Sequence, residues 1–178
     1  MASFLNQSEY SDLQQALDND SAKLIFSRAF ARQFYLHVKA GSIASETGES
    51  ALVQKLVIIL MLTMSVLLIF ANLALVIEQF GWPGIFAAPI IGIIWTILIG
   101  FTTEMGSTMT TLAAMVLSLI AGYLLPFSYG LPLVAFGLSV VFFRAGHILA
   151  SRFLHELLSR SYDAYNNLYE QIEIERSN

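Results

Sequence analysis

The sequence contains no cysteine, which excludes disulfide bonds, thiolate metal sites and a cysteine nucleophile. Charge is also scarce: Asp, Glu, Lys and Arg make up 12% of the 178 residues, whereas about 25% is usual in soluble domains. Between Leu56 and Phe143, the only charged side chains are Glu78 and Glu104. A soluble domain cannot keep so long a stretch without charges, so these absences predict an integral membrane protein.

Motifs of the common catalytic sites are lacking as well. The sequence has no His-Glu-x-x-His, Gly-x-Ser-x-Gly or Gly-Lys-Ser/Thr pattern, and its apolar stretch has no lysine and no paired carboxylates. The histidines, His37, His147 and His155, are not spaced to chelate one metal ion from a single helix. We therefore predict a protein that is not an enzyme, without catalytic residues, cofactor, metal site or nucleic-acid partner.

Glycine and proline residues divide the apolar stretch into four segments, at residues 52–77, 85–101, 108–125 and 131–150. A helix needs about 20 apolar residues to cross a bilayer, and these segments are near that length. The sequence therefore predicts an all-α integral membrane protein, with a four-transmembrane-helix bundle at residues 51–150.

The basic residues predict the orientation of this bundle. All nine lysine and arginine residues lie before residue 56 or after residue 143, and the predicted loops have none. By the positive-inside rule, both termini then lie in the cytoplasm, and the number of spans is even. We predict a multi-pass protein in which two cytoplasmic arms, residues 1–50 and 151–178, flank the bundle, in a bacterial cytoplasmic (inner) membrane.

The second and third spans carry small residues at every fourth position. Such a stripe forms a groove into which another helix can settle closely, and this packing holds helices together in lipid. We predict helix packing at ten positions: Gly84, Ala88, Gly92, Thr96, Gly100, Gly106, Thr110, Ala114, Ser118 and Gly122.

The N-terminal arm contains two candidate helices. A short one is predicted around residues 13–17, and an amphipathic basic helix over residues 22–39, where Phe26, Phe30 and Phe34 recur at every fourth position. The phenylalanine face could lie on the cytoplasmic membrane surface, or it could pack on a neighbouring helix. The sequence does not decide between these two alternatives.

The C-terminal arm is predicted to continue the fourth span as a helix, because no proline occurs after Arg144 and no glycine after Gly146. An apolar seam with alternating spacings of four and three follows along this arm: Leu158, Tyr162, Tyr165, Tyr169 and Ile172. The seam could pack on the N-terminal arm or form a self-associating coiled coil. We slightly favour packing on the N-terminal arm.

Three polar residues are candidates for function, namely Asn72, Glu104 and Arg144. Asn72 lies inside the first span, where an interhelical hydrogen bond is the expected role. Glu104 lies in a polar turn, where it could line the mouth of a cation pore. The alternative, which we favour, is a solvated hairpin turn in which Glu104 could form an ion pair with Arg144. Arg144 shares one face of the last helix with His147, Ser151 and His155, and we expect this face to be solvated.

These features favour a non-catalytic scaffold, assembly factor or accessory subunit. Its partners would be the lipid bilayer and either another protein or a second copy, bound through the helical arms. The alternative is a homo-oligomeric ion channel, with small-residue stripes crowding helices around an axis and Glu104 at the pore mouth.

Overall fold

A computed structural model of the protein describes residues 4–37, 51–104 and 108–176. Its helices are α1 (Gln7–Asp18), α2 (Arg28–His37), α3 (Ala51–Phe80), α4 (Trp82–Glu104), α5 (Thr108–Leu124), α6 (Phe127–Arg160) and α7 (Tyr162–Leu168). Two short strands, β1 (Ala22–Ile25) and β2 (Glu173–Arg176), and a 3₁₀ turn (Tyr169–Gln171) complete the elements. The predicted helical class is confirmed, apart from the two strands.

The chain forms two compact units. The terminal unit consists of residues 1–56 and 149–178, and the apolar unit consists of residues 57–148. The two arms thus belong to the same unit.

In the terminal unit, α1 begins with a capping box, in which the Asn6 side chain accepts the Glu9 N–H and the Glu9 carboxylate accepts the Asn6 N–H. This element confirms the short helix predicted around residues 13–17.

β1 and β2 join the two arms in an antiparallel pair, with Lys23 opposite Glu175 and Leu24 opposite Ile174. The predicted helix over residues 22–39 is therefore wrong in its first part. Residues 22–25 pair with a strand about 150 positions away, and this pairing outweighs their local helical pattern. The helix α2 begins only after Ser27, whose hydroxyl accepts the Phe30 N–H at 3.1 Å.

The buried face of α2 is not the phenylalanine face, so the alternative in which that face packs on a neighbouring helix is not supported, while its position on a membrane surface stays a prediction. Ala31 and Tyr35 are fully buried, whereas Phe26, Phe30 and Phe34 are only half-buried. The Tyr35 ring meets Phe153 of α6, with ring centroids 6.2 Å apart. Since Tyr35 is the residue that packs on a neighbouring helix, the four-residue phenylalanine spacing does not mark the core side of α2.

The C-terminal arm is not one continuous helix. α6 ends at Arg160, and Ser161 caps the separate helix α7 by accepting the Ala164 N–H at 3.0 Å. The predicted seam nevertheless packs on the N-terminal arm: the rings of Tyr162 and Tyr165 each lie 5.6 Å from that of Tyr10. These contacts confirm the alternative that we favoured for the seam.

In the apolar unit, side-chain hydrogen bonds join three helices. Ser65 of α3 donates to the Ser139 carbonyl of α6 at 2.6 Å, and Trp95 of α4 donates to the Ser139 hydroxyl at 2.9 Å. Asn72 is buried in α3, and its amide nitrogen donates to the Pro132 carbonyl of α6. The interhelical role predicted for Asn72 is confirmed.

Two of the described helices are long and apolar enough to cross a membrane, α3 over Leu52–Phe80 and α6 over Phe127–Arg160. The described apolar parts of α4 and α5, Trp82–Ile97 and Met115–Leu124, are shorter. The four-span bundle therefore stays a prediction.

The small-residue stripe is not uniformly used for packing. A Cβ atom placed on Gly84 would lie 2.6 Å from the Val76 carbonyl oxygen, and Gly122 lies in close contact with Gly130 of α6. At Gly92, in contrast, no described atom lies within 4 Å of such a Cβ. Of the other predicted positions, Ala88 and Ser118 are half-buried and Thr96 is exposed, while Gly100, Gly106, Thr110 and Ala114 lie outside the described residues or side chains.

Candidate functional site

The terminal unit contains an open cleft with a volume of about 1000 Å³. Its first wall is β1 with the residue that follows it, formed by Lys23, Leu24, Ile25 and Phe26. Side chains of a strand point alternately to its two faces, so a cavity on one face would meet only every second residue. Because three consecutive residues of the strand, Lys23 to Ile25, line the cleft, it runs along the edge of β1.

That edge is the one turned away from β2. No described residue of β2 lines the cleft, and β2 is the strand that pairs with β1 in the two-stranded sheet. The outer face of β1 is formed by Lys23 and Ile25, both exposed, whereas Ala22 and Leu24 point into the core of the unit.

The second wall is one face of the last turns of α6. Its residues recur with a spacing of four, which brings them to the same side of a helix: Ser151, Arg152, His155, Glu156, Ser159 and Arg160. Gln14 and Asp18, four positions apart on α1, and Arg28 at the start of α2 complete the lining. Every part of this wall is polar, in contrast to the seam that packs on Tyr10.

The cleft carries an excess of positive charge. Four of the nine lysine and arginine residues line it, against the two carboxylates of Asp18 and Glu156. Its formal charge is therefore positive by two when His155 is neutral, although the whole chain has a net charge of −4. Arg160 and Glu156 form an ion pair at 3.0 Å, but both side chains are partly exposed, so this pair adds little stability.

The start of α2 lies at the same cleft. Arg28 is its first residue, and the N-terminus of a helix carries a partial positive charge from the aligned peptide dipoles. Together with the side-chain cations, this terminus favours an anionic ligand.

Behind the cleft, a buried tyrosine connects α2 to α3 and α6. The Tyr35 hydroxyl donates to the side-chain amide oxygen (Oε1) of Gln54 at 3.2 Å, and both residues are almost completely buried. Burial, with a further contribution from the negative charge of Glu156, raises the pKa of the Tyr35 phenol above its ordinary value. Tyr35 thus stays protonated and serves as a structural support for the cleft walls.

The predicted polar candidates lie elsewhere. Arg144 and His147 belong to the apolar unit and are 3% and 2% exposed, so the solvated face expected for them is wrong. For His147, the physical reason is a row of aromatic contacts, since Trp95 of α4 packs on Phe143 and Phe143 packs on His147. His155, in contrast, is exposed and lines the cleft. Glu104 is the last residue of α4, and its side chain lies outside the described residues.

A second cavity, of about 450 Å³, lies in the apolar unit. It is bordered by Asn72, and its other walls are almost entirely apolar, with Val76, Phe80, Ile94 and Phe136 among the lining residues. Such a cavity suits a hydrocarbon chain rather than a polar ligand.

Within the described residues, no group of three or more His, Asp or Glu side chains could hold a metal ion. No protein-family model matches the chain, and no curated protein or solved structure matches it significantly. Its function therefore has to be argued from its own residues.

Sequence reasoning missed the cleft. In the sequence, the basic residues that line the cleft indicate only the topology, because more than 120 positions separate those of β1 from those of α6. The polar helix face predicted from Arg144 to His155 does include two residues of the cleft, Ser151 and His155, and the four-residue spacing of Arg152 and Glu156 is a second local signal of a polar face.

Proposed function

We propose that the protein is a membrane-anchored, non-catalytic scaffold or accessory subunit that recruits an anionic partner through the basic cleft of its terminal unit. The single observation that carries this proposal is the cleft itself, a large polar cavity with positive charge in an otherwise apolar and acidic chain.

The apolar unit supports the membrane anchor. In the most apolar stretch of α3 only 22% of the residues are buried, and in that of α6 44%, whereas the core helix of a soluble protein is mostly buried. Large apolar side chains remain exposed on all four helices, for example Phe70, Phe86, Leu124 and Leu133. Contiguous apolar surface beyond a few hundred Å² is rare on soluble monomers, and lipid is its natural cover here.

The terminal unit supports the proposed topology. β1 comes before the apolar unit in the chain and β2 comes after it, and the two strands are hydrogen-bonded to each other. This pairing supports a topology in which both arms lie on the same side of the membrane and the number of spans is even. The lysine and arginine distribution favours the cytoplasmic side.

Single-cysteine labelling can decide between four spans and two, because the chain has no cysteine of its own. Asn167→Cys, Ser107→Cys and Ser128→Cys place labels in α7, between α4 and α5, and at the start of α6. With four spans, an impermeant thiol reagent labels Ser128→Cys from outside intact cells and reaches the other two only after lysis. If Ser107→Cys is labelled from the same side as Ser128→Cys, α4 and α5 do not cross the membrane.

The recruiting role is tested by co-purification in mild detergent. The double variant Lys23→Gln/Arg152→Gln removes two cations of the cleft, and the control Gln7→Glu/Gln171→Glu changes the net charge equally at exposed positions outside it. We expect a stoichiometric partner to be lost from the first variant and kept by the control. Equal recovery from both variants would contradict the proposal, as would purification of a closed homo-oligomer that conducts ions in liposomes.

A further inference from the structure

We infer that the cleft binds an extended, acidic peptide segment of a partner protein, which adds as a third strand to the free edge of β1. This inference rests on the proposed recruiting function and specifies the chemistry and the geometry of the partner. Its first support is the position of the strand edge, which borders the cleft over three consecutive residues of β1, Lys23 to Ile25, and faces away from β2.

The edge offers main-chain hydrogen-bonding groups to such a peptide. In an antiparallel pair, alternate residues direct their N–H and C=O groups toward the partner strand, and the residues between them direct theirs to the other side. About half of the residues of β1 therefore present a donor and an acceptor toward the cleft. An extended peptide can satisfy both, which is the general basis of recognition by strand addition.

The side chains next to this edge define the sequence that fits. Lys23 and Ile25 share the exposed face of β1, and the neighbouring residues of an added strand would lie beside them. An acidic residue is complementary to Lys23, and an apolar residue two positions along covers Ile25, which is 40% exposed. Arg28 and Arg152 add further positive charge to the lining of the same cleft.

The size and charge of the cleft favour a peptide over a phosphate ligand. A volume of about 1000 Å³ is far larger than an inorganic anion and lies at the upper end of the range for small-molecule sites. Asp18 and Glu156 also line it, and these carboxylates would repel the dense charge of a polyphosphate. A peptide places its acidic groups singly, next to the cations, and its neutral groups near the carboxylates.

The test uses the full-length protein in mild detergent and a synthetic peptide with the sequence Glu-Thr-Val-Thr repeated twice, blocked at both ends. In the extended conformation this peptide presents Glu and Val alternately on one face and Thr on the other. The charge control replaces each Glu by Lys. Two further peptides carry N-methyl groups either on all Thr residues or on all Glu and Val residues, so that each blocks the donors of one strand edge only.

We expect the parent peptide to bind and to slow hydrogen exchange of the β1 amides that face the cleft by about tenfold or more at saturation. One N-methylated isomer should lose about tenfold in affinity, the equivalent of one hydrogen bond or two, while the other isomer binds like the parent. The lysine peptide should not bind.

Other results would overturn the inference. If both methylated isomers bind like the parent, and Lys23→Gln/Arg152→Gln still weakens all three, the cleft is an anion site that makes no strand pairing, and the recruiting function stands. Absence of binding by the parent peptide rejects strand addition, while co-purification tests recruitment separately. Pyrophosphate that displaces the peptide without slowing exchange in β1 would assign the cleft to a phosphate ligand instead.

Discussion

Replacing Tyr10 by phenylalanine should loosen the attachment of α1 to the end of α6. The Tyr10 hydroxyl donates to the Leu158 carbonyl at 2.8 Å, and the Gln14 amide donates to the next carbonyl, that of Ser159, at 2.8 Å. These carbonyls lie in the last turn of α6, where no helical N–H can reach them. Two side chains of the N-terminal arm thus cap the helix that forms one wall of the cleft.

The structure sets the size of the effect. Tyr10 is only 4% exposed, so removal of its hydroxyl leaves a buried carbonyl without a donor, at a cost of about 1–3 kcal/mol. Phenylalanine keeps the ring and therefore the contacts with Tyr162 and Tyr165. Amide exchange in α1 and β1, measured by mass spectrometry in detergent, should be about 5- to 150-fold faster in Tyr10→Phe.

Two further variants give the ranking that tests this reasoning. Gln14→Ala should have a smaller effect, since its hydrogen bond is only partly buried and costs about 0.5–1.5 kcal/mol to lose. Tyr123→Phe is the matched control, because Tyr123 is 90% exposed, and its exchange should equal that of the wild type. Unchanged exchange in Tyr10→Phe, or a larger effect of Gln14→Ala, would refute the capping role.

Three other predictions concern the apolar unit and the buried tyrosine. Gly84→Ala should lower the free energy of unfolding in detergent by about 1–3 kcal/mol, because the new Cβ meets the backbone of α3. Gly92→Ala should be neutral or stabilising by up to about 1 kcal/mol. Equal effects of the two substitutions would mean that both glycines pack alike. Asn72→Leu removes the hydrogen bond from α3 to α6 and should lower the free energy of unfolding in detergent by about 1–2 kcal/mol. Thr96→Val is the control at an exposed position and should leave the free energy of unfolding unchanged. The pKa of Tyr35 is higher in the folded protein than the ordinary phenol value of 10.0, so above pH 10 the folded protein keeps a proton that the unfolded chain loses, and the free energy of unfolding falls as the pH rises. Tyr35→Phe should flatten this fall in the free energy of unfolding between pH 10 and pH 12. An equally steep fall in the variant would contradict the assignment.

Local patterns were sufficient to predict most of the helices. The Gly and Pro breaks near Gly81 and Pro126 separate α3 from α4 and α5 from α6, as expected from the inability of these residues to continue a helix. The hydrogen bond of Asn72 was also predictable, since a buried amide in an apolar helix requires a partner.

The strands and the cleft were not predictable in this way. β1 and β2 are four residues each, and neither is stable without the other, so the pairing of Leu24 with Ile174 has no local signature. Lys23 and Arg152 likewise line one cavity because both arms fold into the same unit, although they are far apart in the sequence. The burial of His147 also depends on the packing of α4 against α6, because Trp95 contacts Phe143 and Phe143 contacts His147, and the helix pattern of α6 alone does not contain these contacts.

The central claim is that the two arms of one chain form a single binding unit. The most direct test of this claim is to cross-link β1 to β2 in native membranes. Lys23 and Glu175 are opposite each other, and opposed residues of an antiparallel pair are within reach of a disulfide. Lys23→Cys/Glu175→Cys should form an intramolecular cross-link under mild oxidation, whereas the out-of-register pair Lys23→Cys/Gln171→Cys should not. Cross-links between molecules only, or equal cross-linking of both pairs, would contradict a terminal unit built from the two arms of one chain.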